Sequence, residues 1–123
     1  MILVDTSVWV GHLRTGDKTL IELLDVGQVL VHPFVIGEVA LGSLRQRRPV
    51  LSFLSKLPRV SIASEQEVLQ FIDQHSLFNQ GIGYVDVHLL AAVRLTAGAA
   101  LWTGDKRLHE AADRLGLTAK LPS

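Results

Sequence analysis

Met1-Ile2-Leu3-Val4-Asp5-Thr6-Ser7 sets four apolar residues directly against an acid and two hydroxyls. Residues 2–5 have the length and β-branched character of a strand buried on both faces, as in a parallel sheet. Asp5 then lies at the carboxyl end of that strand. The pattern returns at Ala99-Ala100-Leu101-Trp102-Thr103-Gly104-Asp105, where an apolar run over 99–103 closes on a second acid. Val29-Leu30-Val31 supplies another short buried run.

Helical signals fill the intervals. Ser7 to His12 begins one helix, and Lys18 to Asp25 carries apolar Leu20, Ile21, Leu23 and Leu24 before Gly27 stops it. Pro33 suits the first position of a helix reaching about Leu44. Pro49 to Leu57 ends at Pro58, and Ser64-Glu65-Gln66-Glu67 resembles a capping box opening a helix to about Ser76. Two more helices span Asp86 to Ala97 and Asp105 to Leu115. Val60-Ser61-Ile62 and Thr118 to Leu121 read as further short strands. Strands alternating with helices predict an α/β fold around a mainly parallel central sheet. The length of 123 residues suits a single domain, 1–123, and no linker or repeat interrupts it.

Composition excludes several chemistries. There is no cysteine, hence no disulfide, thiolate nucleophile or sulfur-ligated metal. No apolar run approaches the ~20 residues of a membrane span, and no cleavable leader is visible, so the expectation is a cytoplasmic protein with no membrane partner. A hydrophobic fraction of 48% and a mean hydropathy of +0.31 exceed what so small a domain can hide alone. A homodimer, a protein partner or both are expected to cover the excess.

Four acids stand in apolar surroundings: Asp5, Glu38 within Pro33 to Leu41, Asp86 before Val87 to Ala92, and Asp105. An unpaired carboxylate costs several kcal/mol, on the order of 3 or more, to desolvate. No nearby run of Lys or Arg neutralises four of them, whereas Mg²⁺ or Mn²⁺ would. Asp5 and Asp105 lie at strand carboxyl ends, Asp86 at a helix start and Glu38 in the second turn of its helix. Those are the places where an α/β crevice gathers ligand-binding side chains. Net charge is zero, with 12 basic and 12 acidic residues; setting the four aside leaves 12 against 8, a remainder of +4 compatible with nucleic acid.

The segments Val4-Asp5-Thr6-Ser7, Ile36-Gly37-Glu38-Val39, Gly83-Tyr84-Val85-Asp86-Val87-His88-Leu89-Leu90-Ala91 and Thr103-Gly104-Asp105-Lys106-Arg107-Leu108 resemble the successive acidic motifs of PIN-domain ribonucleases, and most of all VapC-type toxins of bacterial toxin–antitoxin systems. The resemblance covers essentially the whole chain. It implies a three-layer PIN-like α/β fold and a metal-dependent endoribonuclease that hydrolyses RNA phosphodiesters. Asp5, Glu38, Asp86 and Asp105 would hold one or two Mg²⁺ or Mn²⁺ ions, with Ser7 and Thr103 orienting the acids or their waters. A small antitoxin would cover the site, and a homodimer is the usual assembly.

Each acid also has an ordinary role available. Asp5, Asp86 and Asp105 suit helix caps or first turns, and Glu38 suits a pairing with Arg45. Lys106, Arg107 and Arg45 are candidate phosphate contacts, and Tyr84 is a candidate base-stacking group. Trp9 and Trp102 fit the core better. The five histidines form no H-E-x-x-H or paired-ligand pattern. Two other functions fit less well: another Mg²⁺-dependent phosphoester hydrolase on an α/β scaffold, or a non-catalytic RNA-binding module. A D-x-D phosphatase motif is missing because Ser7 occupies its second position.

Overall fold

A computed structural model of the chain describes residues 1–121. At its centre lies a parallel three-stranded sheet, β1 (Ile2–Val4), β2 (Val29–Leu30) and β3 (Ala100–Trp102), in the order β2-β1-β3. Ile2 and Leu3 pair with Val29 and Leu30 on one side, and Ile2 to Val4 pair with Ala100 to Trp102 on the other. Leu3, Val4, Val29, Leu30 and Leu101 are all buried. Burial on both faces explains why these strands read as continuous apolar runs and not as alternation.

Among the described residues seven helices flank the sheet: α1 (Thr6–Thr15), α2 (Lys18–Asp25), α3 (Pro33–Ala40), α4 (Arg47–Ser55), α5 (Glu65–Gln74), α6 (Tyr84–Leu95) and α7 (Lys106–Arg114). The capping box at α5 is complete: Glu67 N–H donates to Ser64 Oγ at 3.1 Å, and Ser64 N–H to Glu67 Oε1 at 2.9 Å. Every residue of α6 from Val87 to Val93 is buried, so this helix runs through the core, as its all-round apolar sequence requires. Trp9 is buried too. It belongs to the core, which removes it as a base-stacking group.

Several boundaries shift from the sequence expectation. Helix α3 ends at Ala40 and not near Leu44, and α6 begins two residues before Asp86. Asp105 caps α7 without entering it. The stretch 60–62 is no strand: Arg59 makes a single parallel bridge to Val31, and the Ser61 N–H is taken by Thr96 Oγ1 at 2.9 Å instead of a strand neighbour. The expected edge strand from Thr118 likewise shrinks to one bridge, Leu101 to Thr118. Alternation over three residues is too short a signal when a side-chain hydroxyl competes for the backbone. Among the described residues no helix is long and apolar enough to cross a membrane.

Candidate active site

The carboxyl ends of β1 and β3 lie side by side, and that register brings Asp5 to Thr103. Asp5 N–H donates to the Trp102 carbonyl at 2.9 Å, extending the pairing one step beyond the strand. The Asp5 side chain is 5% exposed and accepts three hydrogen bonds. Thr6 N–H reaches Oδ1 at 2.7 Å, while Ser7 Oγ at 2.9 Å and Thr103 Oγ1 at 2.7 Å both donate to Oδ2. The two hydroxyls in turn hold the next loop. Gly104 N–H donates to Ser7 Oγ at 2.9 Å, and Asp105 N–H donates to Thr103 Oγ1 at 3.0 Å. Ser7 and Thr103 thus connect Asp5 to the backbone that carries Asp105.

The other three acids are each held by one oxygen. Asp105 Oδ1 caps α7 through Leu108 N–H at 3.0 Å, and Asp86 Oδ2 accepts from Gly83 N–H at 3.1 Å at the start of α6. Glu38 Oε1 accepts from Thr6 Oγ1 at 2.6 Å, which ties α3 to the residue following Asp5. The second oxygens, Asp105 Oδ2, Asp86 Oδ1 and Glu38 Oε2, take part in none of these bonds. One tether fixes the rotamer and leaves the other oxygen available.

Electrostatics bring the four together. Burial pushes the Asp86 carboxyl above its ordinary pKa, and Asp5, Asp105 and Glu38 push it further by repulsion; the Gly83 N–H opposes them. Repulsion from three like charges couples Asp86 to the other acids. Yet among the described residues no three Asp, Glu or His side chains stand close enough to ligate one ion directly. The donor set fits a hard, hydrated cation better than a closed cage. Mg²⁺ keeps several waters and takes only one or two carboxylates directly, so it does not need three side chains on one ion.

The PIN domain family matches residues 2–114. Ribonuclease VapC32 of Mycobacterium tuberculosis, in strains CDC 1551 / Oshkosh and ATCC 25618 / H37Rv, is 47% identical over 117 residues, spanning 95% of this chain and 94% of the relative. The chain belongs to the PIN-domain family. Its parallel sheet flanked by helices is the PIN-like α/β fold, and Asp5 and Asp105 follow the carboxyl ends of two of its strands.

Around this PIN-domain centre the remaining sequence candidates separate. Arg45 lines, with Glu38, Arg14, Val10 and Leu13, a groove of about 700 Å³ that opens beside α1 and α3. Glu38 accepts from Thr6, a hydroxyl bond in place of the alternative pairing with Arg45 or another cation. Lys106 is exposed in the first turn of α7. The Arg107 side chain packs over Gly81, whose φ is +74°, so it lies against the loop leading to Asp86. Tyr84 stands edge-on to His88 with ring centroids 4.6 Å apart.

Several participants escaped the sequence reading. Thr6 had no signal beyond adjacency to Asp5, and the Gly104 and Gly83 amides are backbone groups that sequence cannot assign. His32 is fully buried and caps α3 by accepting from Phe34 N–H at 2.9 Å through Nδ1. Burial lowers its pKa to about 4, with smaller contributions from His88 and Arg59. It therefore stays neutral at physiological pH. Burial lowers the His88 pKa as well, against a small opposing effect of Glu65.

Proposed function

We propose that this PIN-domain protein is an endoribonuclease that hydrolyses RNA phosphodiester bonds with Mg²⁺ or Mn²⁺. On this reading residues 1–123 act as one nuclease unit and serve as the toxin of a toxin–antitoxin pair. The observation that carries it is the bonding of Thr6 to Glu38 and of Ser7 and Thr103 to Asp5 and the 103–105 loop, which ties three acidic-motif residues together, with Asp86 near enough to feel their charge. The 47% identity to Ribonuclease VapC32 supports the substrate class and the toxin role. The same reading includes a small antitoxin as partner, a homodimeric assembly and a cytoplasmic location.

Asp86, Asp105, Glu38 and Asp5 would hold the cation. When bound, it supplies an activated water near neutral pH and offsets charge on the departing oxygen. The chain's own contribution is orientation. Ser7 and Thr103 fix Asp5 and the 103–105 loop, so the carboxylates need little rearrangement when substrate arrives. Thr6 keeps Glu38 at the edge of the same pocket. Lys106, Arg107 and Arg45 offer cations to flanking phosphates, which the acids themselves would repel.

The test is cleavage of single-stranded RNA with and without EDTA. Wild type is expected to cut in Mg²⁺ or Mn²⁺ and to stop in EDTA, and Asp5→Asn or Asp105→Asn to slow cleavage by at least about 100-fold. Cleavage that survives exhaustive chelation would overturn the metal assignment. Hydrolysis of a phosphomonoester in place of RNA would overturn the substrate. Growth arrest on expression, relieved by the same substitutions, separates a toxin from a housekeeping nuclease.

A further inference from the structure

Four aromatic rings run from the core to the surface beside the acids. His32 and Phe34 have centroids 4.9 Å apart, Phe34 and His88 are 4.9 Å apart, and His88 and Tyr84 are 4.6 Å apart. The buried end is anchored: His32 is fully buried, and its Nδ1 holds the Phe34 N–H. His88 is 7% exposed in the core helix α6. At the other end the chain is open, because Phe34 remains 41% exposed and Tyr84 49% exposed. These two rings come from different helices, and each opens a helix that also carries an acid: Phe34 and Glu38 on α3, Tyr84 and Asp86 on α6.

Such a cluster is costly to leave in water unless something covers it. Phe34 and Tyr84 meet His88 edge to face, at 66° and 89°, a contact that limits their freedom before a flat ligand arrives. We propose that Phe34 and Tyr84, braced by His88 and His32, form a stacking platform for an unpaired base of the RNA next to the phosphate held at the acids. This rests on the nuclease reading above and adds to it where the substrate's affinity comes from. The chain has no net charge, and its carboxylates repel a polyanion. Lys106, Arg107 and Arg45 and a bound cation then offset only part of a polyanion's charge, which leaves room for an uncharged contribution to affinity. Stacking on an uncharged aromatic face adds affinity without adding charge, and every base has such a face to offer. The occupant is a nucleobase and not a protein side chain because Phe34 and Glu38 lie one turn apart on α3, so the platform and the acid share one exposed helix face.

The experiment uses a short single-stranded RNA that wild type binds, in copies with one abasic nucleotide walked along the strand. Affinity is read by fluorescence anisotropy on the Asp5→Asn chain in Mg²⁺, which needs no cleavage, and KM and kcat are read on the wild-type background. One abasic position is expected to weaken binding about 10-fold, mostly through KM. In a chain that also carries Phe34→Leu and Tyr84→Leu, the intact RNA should lose about the same factor, and that abasic position should cost nothing more. Both substituted residues are part-exposed, and leucine keeps apolar volume, so folding is checked by circular dichroism. An abasic penalty unchanged by the leucines overturns the platform. Altered sedimentation mass with an unchanged penalty also overturns it and assigns the face to contact between copies. If wild type cuts no RNA while the abasic coupling persists, the nuclease reading fails and the platform stands.

Discussion

Asp5 and Asp86 are both acidic-motif carboxylates and feel one another's charge, yet the protein treats them in opposite ways. Asp5 sits at a strand end with three donors on its two oxygens. Asp86 sits in the first turn of α6 with a single backbone donor, and burial and three neighbouring acids hold its carboxyl above the usual range. One wall of the pocket is a finished frame, and the other is short of positive partners. A charge left uncompensated within an otherwise well-bonded fold is where a cation gains most. On the proposed reading, the frame would give geometry and the under-compensated wall would give affinity for the cation.

The most severe way to probe that contrast is to delete each carboxylate. Asp5→Ala strands the Thr6 N–H and the Ser7 and Thr103 hydroxyls and frees the 103–105 loop. A loss of about 3 kcal/mol in urea unfolding is expected. Asp86→Ala removes one acceptor and three repulsions together, and should cost less than about 1 kcal/mol. Equal losses at the two positions would mean that the walls do not differ as described.

The contrast was only half legible in the sequence. An apolar run ending in an acid is a local pattern, so Asp5 and Asp105 could be placed at strand ends directly. Ser7 was legible through its place in the first acidic motif. The bond from Thr103 to Asp5 depends on the parallel register of β1 with β3, a pairing across nearly the whole chain that no local period encodes. The bland roles were also partly right. Asp5 and Asp105 do cap helices, so a carboxylate here serves local structure and the pocket at once. The strands proposed at 60–62 and 118–121 failed because two or three alternating residues do not outweigh side-chain and loop hydrogen bonds. Phe34 was invisible as a site residue because a phenylalanine after a helix-starting proline looks like core.

Gly81 tests the support of the weaker wall. Its φ of +74° disfavours any side chain, and a Cβ there would come 2.8 Å from Arg107 Cδ. Gly81→Ala is expected to cost about 1–2 kcal/mol from backbone conformation alone. It should also displace Arg107 and loosen the loop that positions Gly83 and Asp86. Adding Arg107→Ala separates the two contributions. If the guanidinium matters only as an obstacle, the double variant recovers part of the loss. If Arg107 braces the loop, stability falls further and RNA cleavage falls with it.

The smallest effect carries the sign that distinguishes the walls. A raised pKa means that folded Asp86 holds its proton more tightly than the unfolded chain does. That contribution is fully present below the ordinary value of 3.8 and is lost as pH climbs through the raised value. At pH 7 without metal, ionised Asp86 therefore works against the fold. Asp86→Asn keeps an oxygen for the Gly83 N–H and removes the charge. Because the group is only part-buried, the gain is modest: a Tm increase of ~2–4 °C in EDTA, closing below pH 3.8. Adding Mg²⁺ should raise the wild-type Tm and leave the variant nearly where it was, narrowing or reversing the gap. An asparagine variant less stable than wild type in EDTA at pH 7 would show that Asp86 is compensated within the chain. The strained wall would then give no reason for a cation to bind.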